Sequence, residues 1–230
     1  MGKIYFLPGT MCTEALWQHL ELTLKNQFEL VYLAVPNGVG LKELVTYYEM
    51  IFDTEAANLV GFSMGGYIAA YLQCALEHKV KRTLIISNTP SALPDYEVKQ
   101  RFHSLKLIAE HGYNGLSDAR ARVLLGASSS SQTMINVLVD MDASLGKEVL
   151  ISQYTHMTKR EDLYEQLCMN HTPTLFYCSP NDALIDPSWL TKLCAANERV
   201  AVRWSTGDGH ILPLETPNEL SKVIVDWFSE

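Results

Sequence analysis

Short apolar runs alternate along the chain with segments in which apolar residues recur every three or four positions. The runs predict strands at 3–7, 29–35, 57–62, 82–87, 173–179 and 200–204. Between them, a segment such as Leu41 to Phe52 keeps its apolar residues on one helical face. Strand and helix in alternation are typical of a doubly wound α/β fold. We therefore predict a mainly parallel sheet of about six strands with helices on both faces.

The alternation stops between about residues 91 and 168, where only helical spacing is found. Apolar residues recur there at three- and four-residue steps, at Phe102, Leu105, Ile108, Ala119, Val123, Leu124, Met134, Val137, Leu138, Met141, Val149, Tyr154 and Met157. The serine run 128–131 predicts a loop that enters a helix, with Ser131 as its N-cap. We predict one domain over residues 1–230, with residues 91–168 inserted as a helical cap.

The third predicted strand ends in a turn that carries chemistry. Ser63 lies between Gly61 and Gly65, after the apolar Phe62 and before a helix of small residues. A chain that reverses from strand to helix within a residue leaves no room for side chains beside the serine, which explains the glycines. The serine is pushed outward, and the N–H of Met64 points to where an oxyanion would form. The alternative is a glycine-rich turn without chemistry.

A serine hydroxyl needs a base, and the base needs a carboxylate to orient it. In a doubly wound sheet these groups lie on loops that follow the C-terminal ends of strands. Two loops qualify: 180–182, which ends in Asp182, and 207–210, which ends in His210. The order serine, aspartate, histidine is the one expected after a nucleophile elbow.

Other residues on these loops have simpler interpretations. Asp186 precedes Pro187, a pattern that predicts a helix N-cap followed by a first-turn proline. Asp208 lies between two glycines and is typical of a turn. The remaining histidines fall on predicted helices or their ends, where solvated or core roles are favoured: His19, His78, His103, His111, His156 and His171. A pocket-lining role for His156, Arg120 or Arg122 is a weaker alternative to a surface role.

Composition narrows the choice of partners. The 230 residues carry a formal net charge of −8 without a basic block, which argues against nucleic acid and anionic membranes and favours a small molecule. Residues 1–3 run directly into the first strand, and no apolar run reaches bilayer length, so we expect a soluble cytoplasmic protein. The five cysteines are scattered without metal-binding spacing, so we expect reduced thiols, no metal and no cofactor.

Four segments together resemble the α/β-hydrolase family over essentially the whole chain. They are Leu7-Pro8-Gly9-Thr10, Gly61-Phe62-Ser63-Met64-Gly65-Gly66, the stretch from Pro173 to Asp182, and Gly209-His210 followed by Pro213-Leu214-Glu215. The resemblance implies that Ser63 is the nucleophile, Asp182 the acid and His210 the base. It also implies an oxyanion hole that combines the N–H of Met64 with one from the loop at Thr10.

The chain departs from the family pattern in two places. Family members often have two strands before the one that leads into the oxyanion loop, whereas here that strand comes first. We therefore predict about six strands in the spatial order 2-1-3-4-5-6. The family also often has His-Gly in the oxyanion loop, where this chain has Pro8 and Gly9. The identity of the donor on that loop therefore stays open.

The resemblance implies an enzyme of the carboxylesterase type. Relatives that open epoxides or displace halide carry an aspartate at the elbow, whereas this chain has Ser63. The expected reaction is cleavage of a small to medium carboxylic ester or thioester through an acyl-enzyme. The methionines and leucines of the cap suit a modest apolar acyl group. Two alternatives stay open: a lyase or carbon–carbon bond hydrolase of the same fold, and a non-catalytic ligand-binding receptor.

Overall fold

A parallel sheet forms the centre of the protein. The computed structural model describes residues 2–52, 56–127 and 131–229. Within these ranges the six strands are β1 Gly2–Leu7, β2 Phe28–Tyr32, β3 Ala57–Phe62, β4 Val80–Ile86, β5 Thr174–Cys178 and β6 Val200–Trp204. Their order across the sheet is β2-β1-β3-β4-β5-β6, and each neighbouring pair is parallel. The predicted fold class and strand order are confirmed.

Helices cover both faces of this sheet. In the described ranges they are α1 Gln18–Leu24, α2 Leu41–Glu49, α3 Met64–Ala75, α4 Asp95–His111, α5 Asp118–Leu124, α6 Gln132–Met157, α7 Tyr164–Met169, α8 Pro187–Ala196, α9 Leu212–Glu215 and α10 Pro217–Ser229. In the part of the chain that the structure describes, none of them has the length and apolar character needed to cross a bilayer.

The two faces of the sheet pack against different helices. Every residue of β3 is buried, as expected for a central parallel strand that is covered on both sides. On one face Val60 and Phe62 pack with residues of α1, α6 and α10. On the other face Leu59 packs with residues of α2 and α3. The C-terminal end of β3 therefore enters a turn that is held between two apolar layers.

The segment predicted as a cap holds α4 to α7, between β4 and β5. The Ser131 hydroxyl accepts a hydrogen bond from the Met134 N–H at 3.3 Å, so the predicted N-cap of α6 is confirmed. Residues 128–130 of the serine run lie outside the described residues. Among the apolar residues predicted for this segment, Phe102 and Val123 face solvent, at 47% and 83% exposure, whereas Leu138 and Met141 are buried. Both of these buried residues lie on α6.

Candidate active site

Ser63 occupies a strained turn between β3 and α3. Its φ of 50° and ψ of −118° lie in a region that residues with side chains rarely adopt. A Cβ atom added to Gly61 would lie 2.3 Å from the Gly65 carbonyl oxygen, and one on Gly65 would lie 2.2 Å from the Leu7 carbonyl oxygen. Both glycines are therefore required by close backbone approach. The turn holds the half-buried serine side chain at the C-terminal edge of the sheet.

The structure brings Ser63, His210 and Asp182 together in a hydrogen-bonded row. His210 Nε2 lies 2.9 Å from Ser63 Oγ, and His210 Nδ1 lies 2.7 Å from Asp182 Oδ2. The other carboxylate oxygen, Oδ1, accepts from the Leu184 N–H at 2.9 Å. Asp182 and His210 are each only 7% exposed. This geometry allows the imidazole to take the hydroxyl proton while the carboxylate orients the ring.

Asp186 has a different role from Asp182. Its Oδ1 accepts from the Ser188 N–H at 2.9 Å and from the Trp189 N–H at 3.1 Å, so it caps α8 as predicted. A further hydrogen bond from the Ser188 hydroxyl is the largest of the effects that lower the pKa of the Asp186 carboxyl below its ordinary value. The hydrogen bonds of this carboxylate therefore stabilise a helix start, while Asp182 contacts the imidazole.

The loop after β1 lies directly beside the elbow. A Cβ atom on Gly9 would lie 2.7 Å from the Phe62 ring and 3.3 Å from the Ser63 Cβ. Met11 has a φ of 54°, and its N–H donates to the cap residue Gln153 at 3.0 Å, so that N–H is already engaged. The Thr10 N–H therefore remains the predicted donor from this loop. The second predicted donor, Met64, begins α3, where N–H groups have no intrahelical acceptor.

Cys12 lies next to this loop but has the properties of a buried thiol. All five cysteines are free, and Cys12 is buried. Burial raises the pKa of Cys12 to about 12, and its Sγ donates to the Thr10 carbonyl oxygen at 3.5 Å. The thiol is therefore not a competing nucleophile. Among the residues that the structure describes, no group of three histidine, cysteine or acidic side chains is placed to hold a metal ion.

Glu215 contacts the backbone on both sides of the histidine, a role that the sequence did not predict. Its Oε1 accepts from the Ile211 N–H at 2.8 Å, and its Oε2 accepts from the Gly209 N–H at 2.9 Å. Oε2 also accepts from the Gly126 N–H of the cap segment, at 3.2 Å. Burial raises the pKa of Glu215 above its ordinary value, while these three N–H groups lower it. One carboxylate thus joins the histidine loop to the cap.

The backbone of the cap segment is in direct contact with the backbone of the loop 207–210, which ends in His210. The His210 N–H donates to the Leu124 carbonyl oxygen at 2.8 Å. A Cβ atom on Gly209 would lie 2.1 Å from the Gly126 nitrogen, and one on Gly126 would lie 2.4 Å from the Asp208 Cβ. The two glycines therefore allow the contact that Glu215 completes.

Glu215→Gln is expected to lower turnover about tenfold and stability by about 2 kcal/mol. The new amide cannot accept on its NH₂ side, so at least one buried N–H beside His210 loses its partner and the imidazole is less well placed. Hydrolysis rates and urea unfolding would measure both effects. Glu219→Gln is the matched control, because Glu219 accepts from Thr206 and not from the histidine loop. Equal rate losses in the two variants would show that Glu215 acts only on stability.

The comparisons with known proteins agree with this fold. No protein-family model matches the chain. The abhydrolase domain-containing protein ACTT2-1 of Alternaria alternata is 26% identical over an alignment of 164 residues, and the match covers 66% of this chain and 59% of that protein. The chain thus matches less than two thirds of that curated relative's length.

Two solved structures share the architecture over the whole chain. An esterase from Thermogutta terrifontis, malate bound, has a TM-score of 0.86 at 16% identity and is covered over 90% of its length. The enol-lactonase from Burkholderia xenovorans LB400 has a TM-score of 0.83 at 18% identity and is covered over 92%. Both matches cover 100% of this chain. The protein therefore has the α/β-hydrolase fold, and the resemblance to that fold family is confirmed.

Proposed function

We propose that the protein is a serine hydrolase that cleaves a small to medium carboxylic ester or thioester. The observation that carries this proposal is the hydrogen-bonded row of three side chains. Ser63 Oγ, on the strained turn, lies 2.9 Å from His210 Nε2, and His210 Nδ1 lies 2.7 Å from Asp182 Oδ2. A protein that only binds a ligand has no need of an activated serine. The similar structures named as an esterase and an enol-lactonase also favour ester chemistry.

The proposed reaction uses each residue in turn. Ser63 Oγ attacks the carbonyl carbon while His210 Nε2 takes its proton, and the N–H groups of Met64 and Thr10 stabilise the oxyanion. His210 then donates that proton to the leaving alcohol or thiol as the carbon–oxygen or carbon–sulfur bond breaks, which leaves an acyl-serine. Water then attacks the acyl-serine and gives a proton to His210 Nε2, and His210 passes that proton to Ser63 Oγ as the carbon–Oγ bond breaks and the acid leaves. Asp182 keeps Nδ1 protonated and stabilises the imidazolium throughout.

A substrate panel tests this function. We expect turnover of p-nitrophenyl esters or of matched acyl thioesters by the intact protein. Hydrolysis of a carbon–carbon bond in a vinylogous diketone, without turnover of any ester or thioester, would favour the alternative of a carbon–carbon bond hydrolase. Binding of panel members without any turnover would favour the receptor.

We further propose that the cap segment, residues 91–168, forms the acyl-side wall of the site. Leu138 and Met141 of α6 are 4% and 2% exposed and pack in the same apolar cluster as Phe62 and Ile211, which flank the site residues in the chain. Met141 Sδ also accepts from the Thr13 N–H at 3.4 Å, close to the proposed oxyanion loop. These contacts support a role for α6 in substrate choice.

Leu138→Ala and Met141→Ala should shift the preferred acyl chain towards longer homologues. Each substitution removes buried volume from the proposed wall, and each should lower the unfolding free energy by about 2 to 5 kcal/mol. The measurement is kcat/KM over a series of p-nitrophenyl acyl esters, with Val123→Ala as the solvent-exposed control. A loss of stability without any change in the ranking of acyl chains would show that the cap does not set substrate choice.

A further inference from the structure

Gln153 is a buried amide that uses only half of its hydrogen-bonding capacity. It lies on α6, is 6% exposed, and its Oε1 accepts from the Met11 N–H at 3.0 Å. Because an N–H donor fixes which end of the amide is oxygen, Nε2 must point away from that contact. Within residues 2–52, 56–127 and 131–229, the structure gives Nε2 no acceptor.

The position of this amide relates it to the proposed reaction site. Met11 is two residues from Gly9, and Gly9 packs so closely on the elbow that a Cβ atom there would lie 3.3 Å from the Ser63 Cβ. Gln153 therefore contacts the loop that borders the serine, from the side of the proposed acyl wall. Nε2 is not one of the fully buried side-chain atoms that lack a partner, so it reaches solvent-accessible space beside this loop. An oxygen atom of a bound substrate can therefore replace water as its acceptor.

We propose that Nε2 of Gln153 donates a hydrogen bond to an oxygen atom on the acyl part of the substrate. The preferred substrates would then be esters or thioesters whose acyl chain carries a hydroxyl or carbonyl oxygen, such as 3-hydroxyacyl or 3-oxoacyl groups. This inference rests on the proposed hydrolysis at Ser63. It replaces the plain apolar acyl group that the composition of the cap suggested with one that has a single polar substituent.

The same side chain would link substrate recognition to the oxyanion loop. Its oxygen holds Met11, which has a φ of 54°, while its nitrogen contacts the acyl group. A purely structural role needs only the first of these contacts. Gln153→Glu separates substrate recognition from a purely structural role. It removes the N–H donors of Nε2 and keeps an oxygen that can accept from the Met11 N–H.

The test compares two ligands in the Ser63→Ala protein, which binds esters without turning them over. Methyl 3-hydroxybutyrate and methyl butyrate differ only in the hydroxyl oxygen. We expect the hydroxy ester to bind about three to ten times more tightly, as one hydrogen bond provides. The Gln153→Glu change, made in the same background, should abolish that preference while the Met11 contact is kept. Gln132→Glu, an exposed position on the same helix, should preserve it.

The ratio of the two affinities decides the proposal. A structural role for Gln153 would weaken both esters equally and leave their ratio unchanged, which would overturn the inference. Equal affinities in the Ser63→Ala protein, including no measurable binding of either ester, would overturn it as well. Failure of the proposed function has a different signature, since the wild-type protein would then hydrolyse neither ester even where the affinity ratio is as expected.

Discussion

Ser63→Ala is expected to lower kcat by several powers of ten, on the order of 10⁴- to 10⁶-fold. The substitution removes the only atom that the proposed mechanism uses to form the acyl-enzyme, while the rest of the site is unchanged. Stability should change little, because alanine takes the same strained backbone conformation and loses only the contact of Ser63 Oγ with His210. Initial rates with a p-nitrophenyl ester and a urea unfolding curve would measure both quantities.

Ser87→Ala is the matched control for this substitution. Ser87 directly follows β4, the strand next to β3, and has the same φ of 50°. It is 1% exposed, and its hydroxyl has no hydrogen-bond partner among the described residues. We therefore expect the Ser87→Ala protein to keep its rate within a few-fold. Comparable rates in the two variants would contradict the proposed role of Ser63.

Asp182→Asn is expected to lower kcat by about 10⁴-fold. The Asp182 carboxylate accepts from His210 Nδ1 at 2.7 Å, and an amide in its place favours the tautomer in which Nε2 cannot take the serine proton. Asp186→Asn should keep most of the activity, because asparagine still caps a helix. The comparison is a kcat measurement on both variants. A large loss in Asp186→Asn together with a small one in Asp182→Asn would reassign the acid.

The elbow and the strands could be predicted because local sequence determines them. Gly61 and Gly65 follow from the tight reversal of the chain, and the contacts of 2.3 and 2.2 Å that a Cβ atom would make explain why no other residue fits. The placement of Asp182 and His210 followed from a topological rule, since both come after the C-terminal ends of parallel strands. Local signals and one rule of topology were sufficient for these features.

The contacts between the cap and the site loops could not be predicted in this way. Gln153 and Met11 are 142 residues apart, and Gly126 and Glu215 are 89 apart, so each pairing depends on how the cap docks. Glu215 was part of the family-like segment that follows His210, but the groups that Glu215 binds are backbone N–H groups, which no sequence pattern marks. Apolar spacing also suggested an inward face for Phe102, whereas the helix that carries it has no buried residue.

These contacts make the cap part of the candidate site. Gln153 binds the loop that holds Thr10, while Leu124 and Gly126 bind the loop that holds His210. A shift of the cap would therefore move both a proposed oxyanion donor and the proposed base. Substitutions in the cap should for this reason affect reaction rate as well as substrate preference.

Covalent labelling with a fluorophosphonate tests the central claim most directly. The reagent reacts with a serine that has an activated hydroxyl, and mass spectrometry of the digested protein locates the adduct. We predict a single adduct on the peptide that contains Ser63 and none in the Ser63→Ala protein. An adduct on another residue, or an unlabelled Ser63 in folded protein, would contradict the assignment of Ser63 as the nucleophile.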